Sequence, residues 1–380
     1  MGEPLSGPRE ADHGSAPRVV DLHVDTILWA HDAGADLVRG HEPAHVDVPR
    51  LRAGGVGAVF FAAWVHPAFV ARSTAFARAR SLLECARRLA SATAELALAV
   101  DVAGVERASA AHKIALVLAV EGGHAIEDSL ERLAELHALG ARTLTLTWTN
   151  THAWADAAGE AERRHGGLAP FGREVVRRMN ELGMIVDVSH VSDETFFDAL
   201  EVSEAPVIAS HSAVRSLAPH PRNLSDEMLR ALGEQGGVVG IPFYSHFLDP
   251  AFDEPYRRWR ADVQPRADAA WVRFADEPGR AERAAQRVWL AEATRLPRVA
   301  LDCVVRHIDR AVELAGIDHV AIGSDFDGIQ HTPDGLEHAG RFPNLVDALR
   351  RRGYDEPSLR KIIGSNALRV WGQVERRARA

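Results

Sequence analysis

Two cysteines in 380 residues, Cys85 and Cys303, are too few for a disulfide framework. Both stand in helix-like stretches, and such sparse usage fits a reducing compartment. No run approaches the roughly 18 apolar residues of a membrane-spanning helix. The segment MGEPLSGPREADHGSAPR lacks the apolar stretch of a secretory leader, and residues 1–17 read as a disordered tail. Gly2 and Ser6 formally fit an acylation pattern, but with no polybasic second signal the match is chance. Lys and Arg number 44 against 53 Asp and Glu, a net charge of −9 without a basic stripe, which argues against a nucleic-acid surface. No Gly-x-Gly-x-x-Gly follows the first strand-like run, which removes the main reason to expect a dinucleotide fold.

What is present is ordinary globular material, 46% hydrophobic and 26% charged. Eight short aliphatic runs recur: RVVDL (18–22), VGAVFFAAW (56–64), IALVLAV (114–120), RTLTLTW (142–148), MIVDVS (184–189), PVIAS (206–210), GVVGIPF (237–243) and HVAIGS (319–324). Amphipathic stretches separate them, several ending in Gly and two opening on a Ser-Asp cap. Strands alternating with helices imply a parallel sheet covered on both faces. Eight such units predict a (β/α)8 TIM barrel spanning 18–380 as a single domain. Residues 246–299, charged and Trp-bearing, break the rhythm after the seventh strand. They read as a helical insertion serving as a lid, an oligomer contact or a solvated decoration.

Histidine is plentiful, at 19 residues, and its placement is informative. His23 and Asp25 follow the first run, Glu121 the third, His190 the fifth, His211 the sixth and Asp325 the eighth. Singly, each has a bland reading as a cap or an exposed loop residue. Together they lie at the C-terminal ends of predicted barrel strands, where barrel enzymes build their sites. Imidazole and carboxylate without cysteine suit zinc or another divalent transition metal. His23, Asp25, His190 and His211, with Glu121 able to bridge, would serve two ions about 3.5–4 Å apart. That leaves Asp325 for proton transfer, and the reaction class is metal-assisted hydrolysis.

The motifs DLHVDT, AVEGG, DVSHVS, APVIASHS, PRNLSDEML and IGSDFDG resemble the membrane (renal) dipeptidase family of zinc peptidases. The likeness runs from about residue 18 to IIGSNALRVW at 362–371 and weakens in the insertion. It implies that His23 and Asp25 hold one Zn2+, that His190 and His211 hold a second, and that Glu121 bridges them. It further implies that Arg222 binds the substrate's terminal carboxylate and that Asp325 handles protons. The expected activity is hydrolysis of L-Xaa-Xaa or L-Xaa-D-Xaa dipeptides through a metal-bridging hydroxide. Trp148 stands where vertebrate members carry a histidine, and His152 lies four residues on. These two, with Tyr244, are the remaining substrate-contact candidates. A cytoplasmic, bacterial-type homodimer is the form the resemblance suggests. Two alternatives stand beside it: a related barrel hydrolase of another amide, lactone or phosphoester, and a non-catalytic metal-stabilised scaffold.

Overall fold

The computed structural model describes residues 18–378. The predicted tail, 1–17, lies outside the described residues. Each of the eight predicted runs forms a strand, and the strands are parallel. In chain order the strands are β1 (Val19–Val24), β2 (Val56–Trp64), β3 (Leu96–Leu98), β4 (Ile114–Glu121), β5 (Ala141–Thr145), β6 (Ile185–Asp187), β7 (Ile208–Ala209), β8 (Val238–Ile241) and β9 (Val320–Ile322). Pairing runs β2-β1-β9-β8-β7-β6-β5-β4, and β2 pairs with β4 to close the ring. The result is an eight-stranded TIM barrel surrounded by helices. The ninth strand, β3, was not expected from the sequence. It pairs with the first residues of β4, Ile114–Leu116, whereas β5 pairs with the later ones, Leu118–Glu121.

The composition of the strands explains their place. All eight residues of β4 are buried, as are all six of β1. A strand covered on both faces has no solvent side, so its sequence reads as a continuous aliphatic run. Outside it, the amphipathic stretches are helices with the expected ends. Ser192 and Ser225 cap the helices Asp193–Val202 and Asp226–Glu234 by accepting from the N–H groups of Thr195 and Met228. Gly183, at φ 72°, closes the helix Pro170–Leu182 in the left-handed conformation that a side chain would disfavour. Cys85 and Cys303 lie within helices, as read from the sequence. No helix among the described residues is long and apolar enough to cross a membrane.

The insertion after β8 is helical, with major helices Asp253–Arg273 and Pro278–Glu292 packed against each other. It does not stand away in solvent. Tyr256, Arg260, Trp271, Arg283 and Trp289 from these helices line the same cavity as Asp25, Glu121 and Asp325. The insertion therefore walls the mouth of the barrel.

Candidate metal centre

Parallel strands deliver their C-terminal ends to one rim, and the polar residues arrive there together. His23 lies within β1 and Asp25 just beyond it; Glu121 ends β4. His190, His211 and Asp325 follow β6, β7 and β9 within three residues. His190 and Asp325 hold φ of 71° and 62°, unusual for residues with side chains. Such backbone strain is characteristic of residues positioned for function.

Glu121 is the centre of the arrangement. Its Oε2 lies 3.5 Å from His23 Nε2, which is also 3.5 Å from Asp25 Oδ2. Its Oε1 lies 2.8 Å from His190 Nε2 and 3.6 Å from His211 Nε2. One carboxylate thus turns one oxygen to each of two ligand groups. The Nε2 atoms of His190 and His211 face each other at 2.9 Å. His23 Nε2 and Asp25 Oδ1 are buried without a hydrogen bond. Buried polar atoms that converge without partners are costly unless a cation joins them. His23, Asp25 and Glu121 form one potential ligand group; Glu121, His190 and His211 form another; and His23, His211 and Asp325 form a third. The donor set suits a divalent transition metal.

Burial and mutual charge shift the titrating groups of the cluster in different directions. Burial and the neighbouring Glu121 raise Asp25 to about 6. Burial, reinforced by Asp25 and Glu121, pushes Asp325 well above the usual carboxylate range, against the pull of His23 and Arg222. Burial lowers His190 to about 4 and His211 well below the ordinary imidazole value. His23 moves the other way, since Glu121 and Asp25 outweigh its burial. Held neutral, His190 and His211 keep ring nitrogens free to act as ligands beside Glu121.

Two aspartates absent from the sequence-based candidates hold this rim in shape. Asp187 Oδ1 accepts from the N–H groups of Ser189 (3.0 Å) and Ser210 (2.9 Å), and its Oδ2 accepts from the hydroxyls of Ser210 and Thr145, each at 2.6 Å. Asp21 repeats the pattern, accepting from the N–H groups of His23 and Ser324 and from the Ser324 hydroxyl. Each clamp grips the serine immediately before a site residue, His211 or Asp325. Because the Ser210 hydroxyl donates to Asp187 Oδ2, its Oγ is left to accept from His211 Nδ1–H at 2.8 Å, which turns the Nε2 lone pair toward the cluster. Ser210→Ala is expected to weaken metal binding by about 10- to 100-fold, read by titration against a competing chelator. For Asp21 a sequence signal was available: it stands two residues before His23, hence on the same face of the strand.

Arg222 is buried, as a surface residue would not be. Its Nη1 and Nη2 reach only Ser212 Oγ (3.5 Å) and the His211 carbonyl (3.3 Å), and its Nε has no partner. Asp226, four residues on, is not its partner and pairs with Arg310. Trp148 and Tyr244 line the cavity with Arg222. His152 is not among the lining residues. It is buried beneath the loop, bonded through Nε2 to the Leu146 carbonyl at 2.9 Å and set against Trp154, with burial lowering it to about 3. Gly328 lies so close beneath the rim that a Cβ there would overlap the carboxylates of Asp25 and Asp325.

Comparison with known proteins places this geometry. The family profile described as membrane dipeptidase (peptidase family M19) matches residues 14–380. Among solved structures, the probable dipeptidase PvdM from Pseudomonas aeruginosa is 25% identical with a TM-score of 0.79, over 95% of this chain and 96% of that one. A metallo peptidase from Rhodobacter sphaeroides, liganded with a phosphinate mimic of L-Ala-D-Ala, is 26% identical with a TM-score of 0.77, over 95% and 100%. The M19 metallo peptidase dipeptidase AC is 28% identical with a TM-score of 0.74, over 94% and 98%.

Proposed function

The chain belongs to the membrane dipeptidase family, peptidase family M19, and from that premise we propose that it is a binuclear zinc dipeptidase. Its substrates are small dipeptides of L-Xaa-Xaa or L-Xaa-D-Xaa form; the second form is supported by the L-Ala-D-Ala mimic in the Rhodobacter sphaeroides relative. The observation that carries the binuclear reading is Glu121, with one oxygen toward His23 and the other toward His190 and His211. His23 and Asp25 would hold one ion, His190 and His211 the second, and Glu121 would join them. Bound there, the ions supply Lewis-acid polarisation of the scissile carbonyl and ionisation of water near neutral pH.

The remaining steps belong to side chains. Arg222 holds the C-terminal carboxylate, its planar fork matching both oxygens. With the dipeptide so anchored, the scissile carbonyl lies over the ligand cluster. Water adds to the carbonyl carbon and gives its proton to Asp325. As the C–N bond breaks, Asp325 passes that proton to the departing amine, and two amino acids result.

Metal analysis and a dipeptide screen test the reading. Two equivalents of zinc per chain are expected, and saturation at one would count against the binuclear site. Arg222→Ala should lower kcat/KM by about 30- to 1,000-fold, chiefly through KM, with metal content unchanged. Converting the substrate carboxylate to an amide should penalise the wild type similarly and the variant little. Additive penalties would show that Arg222 and the carboxylate do not meet.

A further inference from the structure

Four aromatic side chains from separate parts of the chain meet on one side of the barrel mouth. Trp64 ends β2 and His66 follows it, Trp148 follows β5, and Trp271 comes from the first insertion helix. Trp64 and Trp148 meet edge-on with centroids 4.9 Å apart, and His66 lies 4.2 Å from Trp271. All four are only partly buried and line the cavity that holds the ligand cluster. That cavity measures about 540 Å³, within the usual range of about 300–1,000 Å³ for small-molecule sites.

Strand order places the Trp64 and His66 side of this wall relative to a bound dipeptide, while Trp148 follows β5, two strands from β7. Round the ring, β2 is four strands from β7 in either direction, hence diametrically across the barrel. Arg222 sits in the loop after β7, and Trp64 pairs in register with Glu121. A dipeptide with its carboxylate on Arg222 and its scissile carbonyl over Glu121 therefore sends its N-terminal residue toward the wall. We propose that Trp64, His66, Trp148 and Trp271 select dipeptides whose N-terminal residue carries a large aromatic side chain. This specificity rests on the dipeptidase reading above. Aromatic rings meeting edge-on or offset gain beyond the area they bury. A cationic side chain could also stack on indoles; Arg260 lines the cavity, but so does Glu282, which pairs with Arg283, and the L-Arg-L-Ala comparison below decides between the two. His66 adds no charge, because burial, with His124 and Arg78 nearby, lowers it to about 4.

The test compares L-Phe-L-Ala, L-Ala-L-Ala, L-Ala-L-Phe and L-Arg-L-Ala with zinc-loaded protein. L-Phe-L-Ala should exceed L-Ala-L-Ala in kcat/KM by about 10- to 100-fold. Trp271→Ala should shrink that ratio to within about threefold of unity, and Trp271→Phe should restore most of it. Calorimetric titration with phosphinate mimics bearing Phe or Ala at the N-terminal position gives a readout independent of turnover. The proposal is overturned by equal rates for L-Phe-L-Ala and L-Ala-L-Ala, or by a preference that follows the C-terminal residue. A preference for L-Arg-L-Ala overturns it too, as does an unchanged ratio in Trp271→Ala. Turnover of L-Ala-L-Ala without preference would sink this inference alone. Tighter binding of the Phe mimic with no dipeptide hydrolysed would uphold the wall and sink the dipeptidase reading. Neither binding nor turnover would remove both.

Discussion

Glu121→Gln should leave the protein with fewer than one bound metal ion per chain and reduce dipeptide turnover by at least about 10³-fold. The amide keeps the shape of the side chain but removes the negative charge and one of the two acceptor oxygens. In the wild-type arrangement those oxygens face different ligand groups, at 3.5 Å from His23 Nε2 and 2.8 Å from His190 Nε2. On the proposed binuclear reading, both ions therefore lose an anionic ligand in one substitution. A loss of about 4 kcal/mol in transition-state stabilisation already corresponds to about 10³ in rate. Metal content after dialysis, together with a zinc titration of the variant, gives the first number, and a steady-state assay gives the second. If Glu121→Gln kept two ions and near-normal turnover, Glu121 would not be the bridge.

Asp325→Asn separates an enzyme from a metal-stabilised scaffold. The change should lower kcat by about 10²–10⁴, the usual worth of a positioned acid–base group. It should leave both ions bound, since His23, Asp25, Glu121, His190 and His211 suffice without it. Asparagine tolerates the left-handed backbone that Asp325 adopts at φ 62°, so the loop should hold its course. Asp325 also lies within ligand reach of His23 and His211, which makes the metal measurement decisive. Loss of an ion along with activity would make Asp325 a ligand, not a proton carrier. Full activity with both ions bound would remove it from the mechanism.

The aliphatic runs made the barrel legible because a strand buried on both faces has no freedom to alternate with polar residues. His23, Asp25, Glu121, His190, His211 and Asp325 stood out for a related reason. A charged or imidazole side chain closing such a run cannot be hidden without a partner. Several features were not legible in the same way. The strand β3 covers only Leu96–Leu98 and exists because the first residues of β4 leave an edge that β5 does not reach. His152 offered the same chemistry as the other histidines, yet its loop turns it beneath the rim onto the Leu146 carbonyl. Residues 246–299 carried three readings, and only the packed helices show that Trp271 and Arg283 face the cavity.

By itself, then, the sequence determined what depends on nearest neighbours along the chain. That covers the strand-and-helix alternation, the polar residues closing five of the strands, and the donor chemistry they bring. Tertiary structure decided what depends on closure of the ring. Pairing β2 with β4 brings Trp64 beside Glu121, and the full turn of strands sets β7, from whose loop Arg222 comes, opposite β2. It also decided which oxygen of Glu121 meets which histidine, and that Asp21 and Asp187 grip serines 303 and 23 residues away along the chain. Contacts of that kind leave no local pattern, because their stabilisation is gained only once distant strands lie side by side.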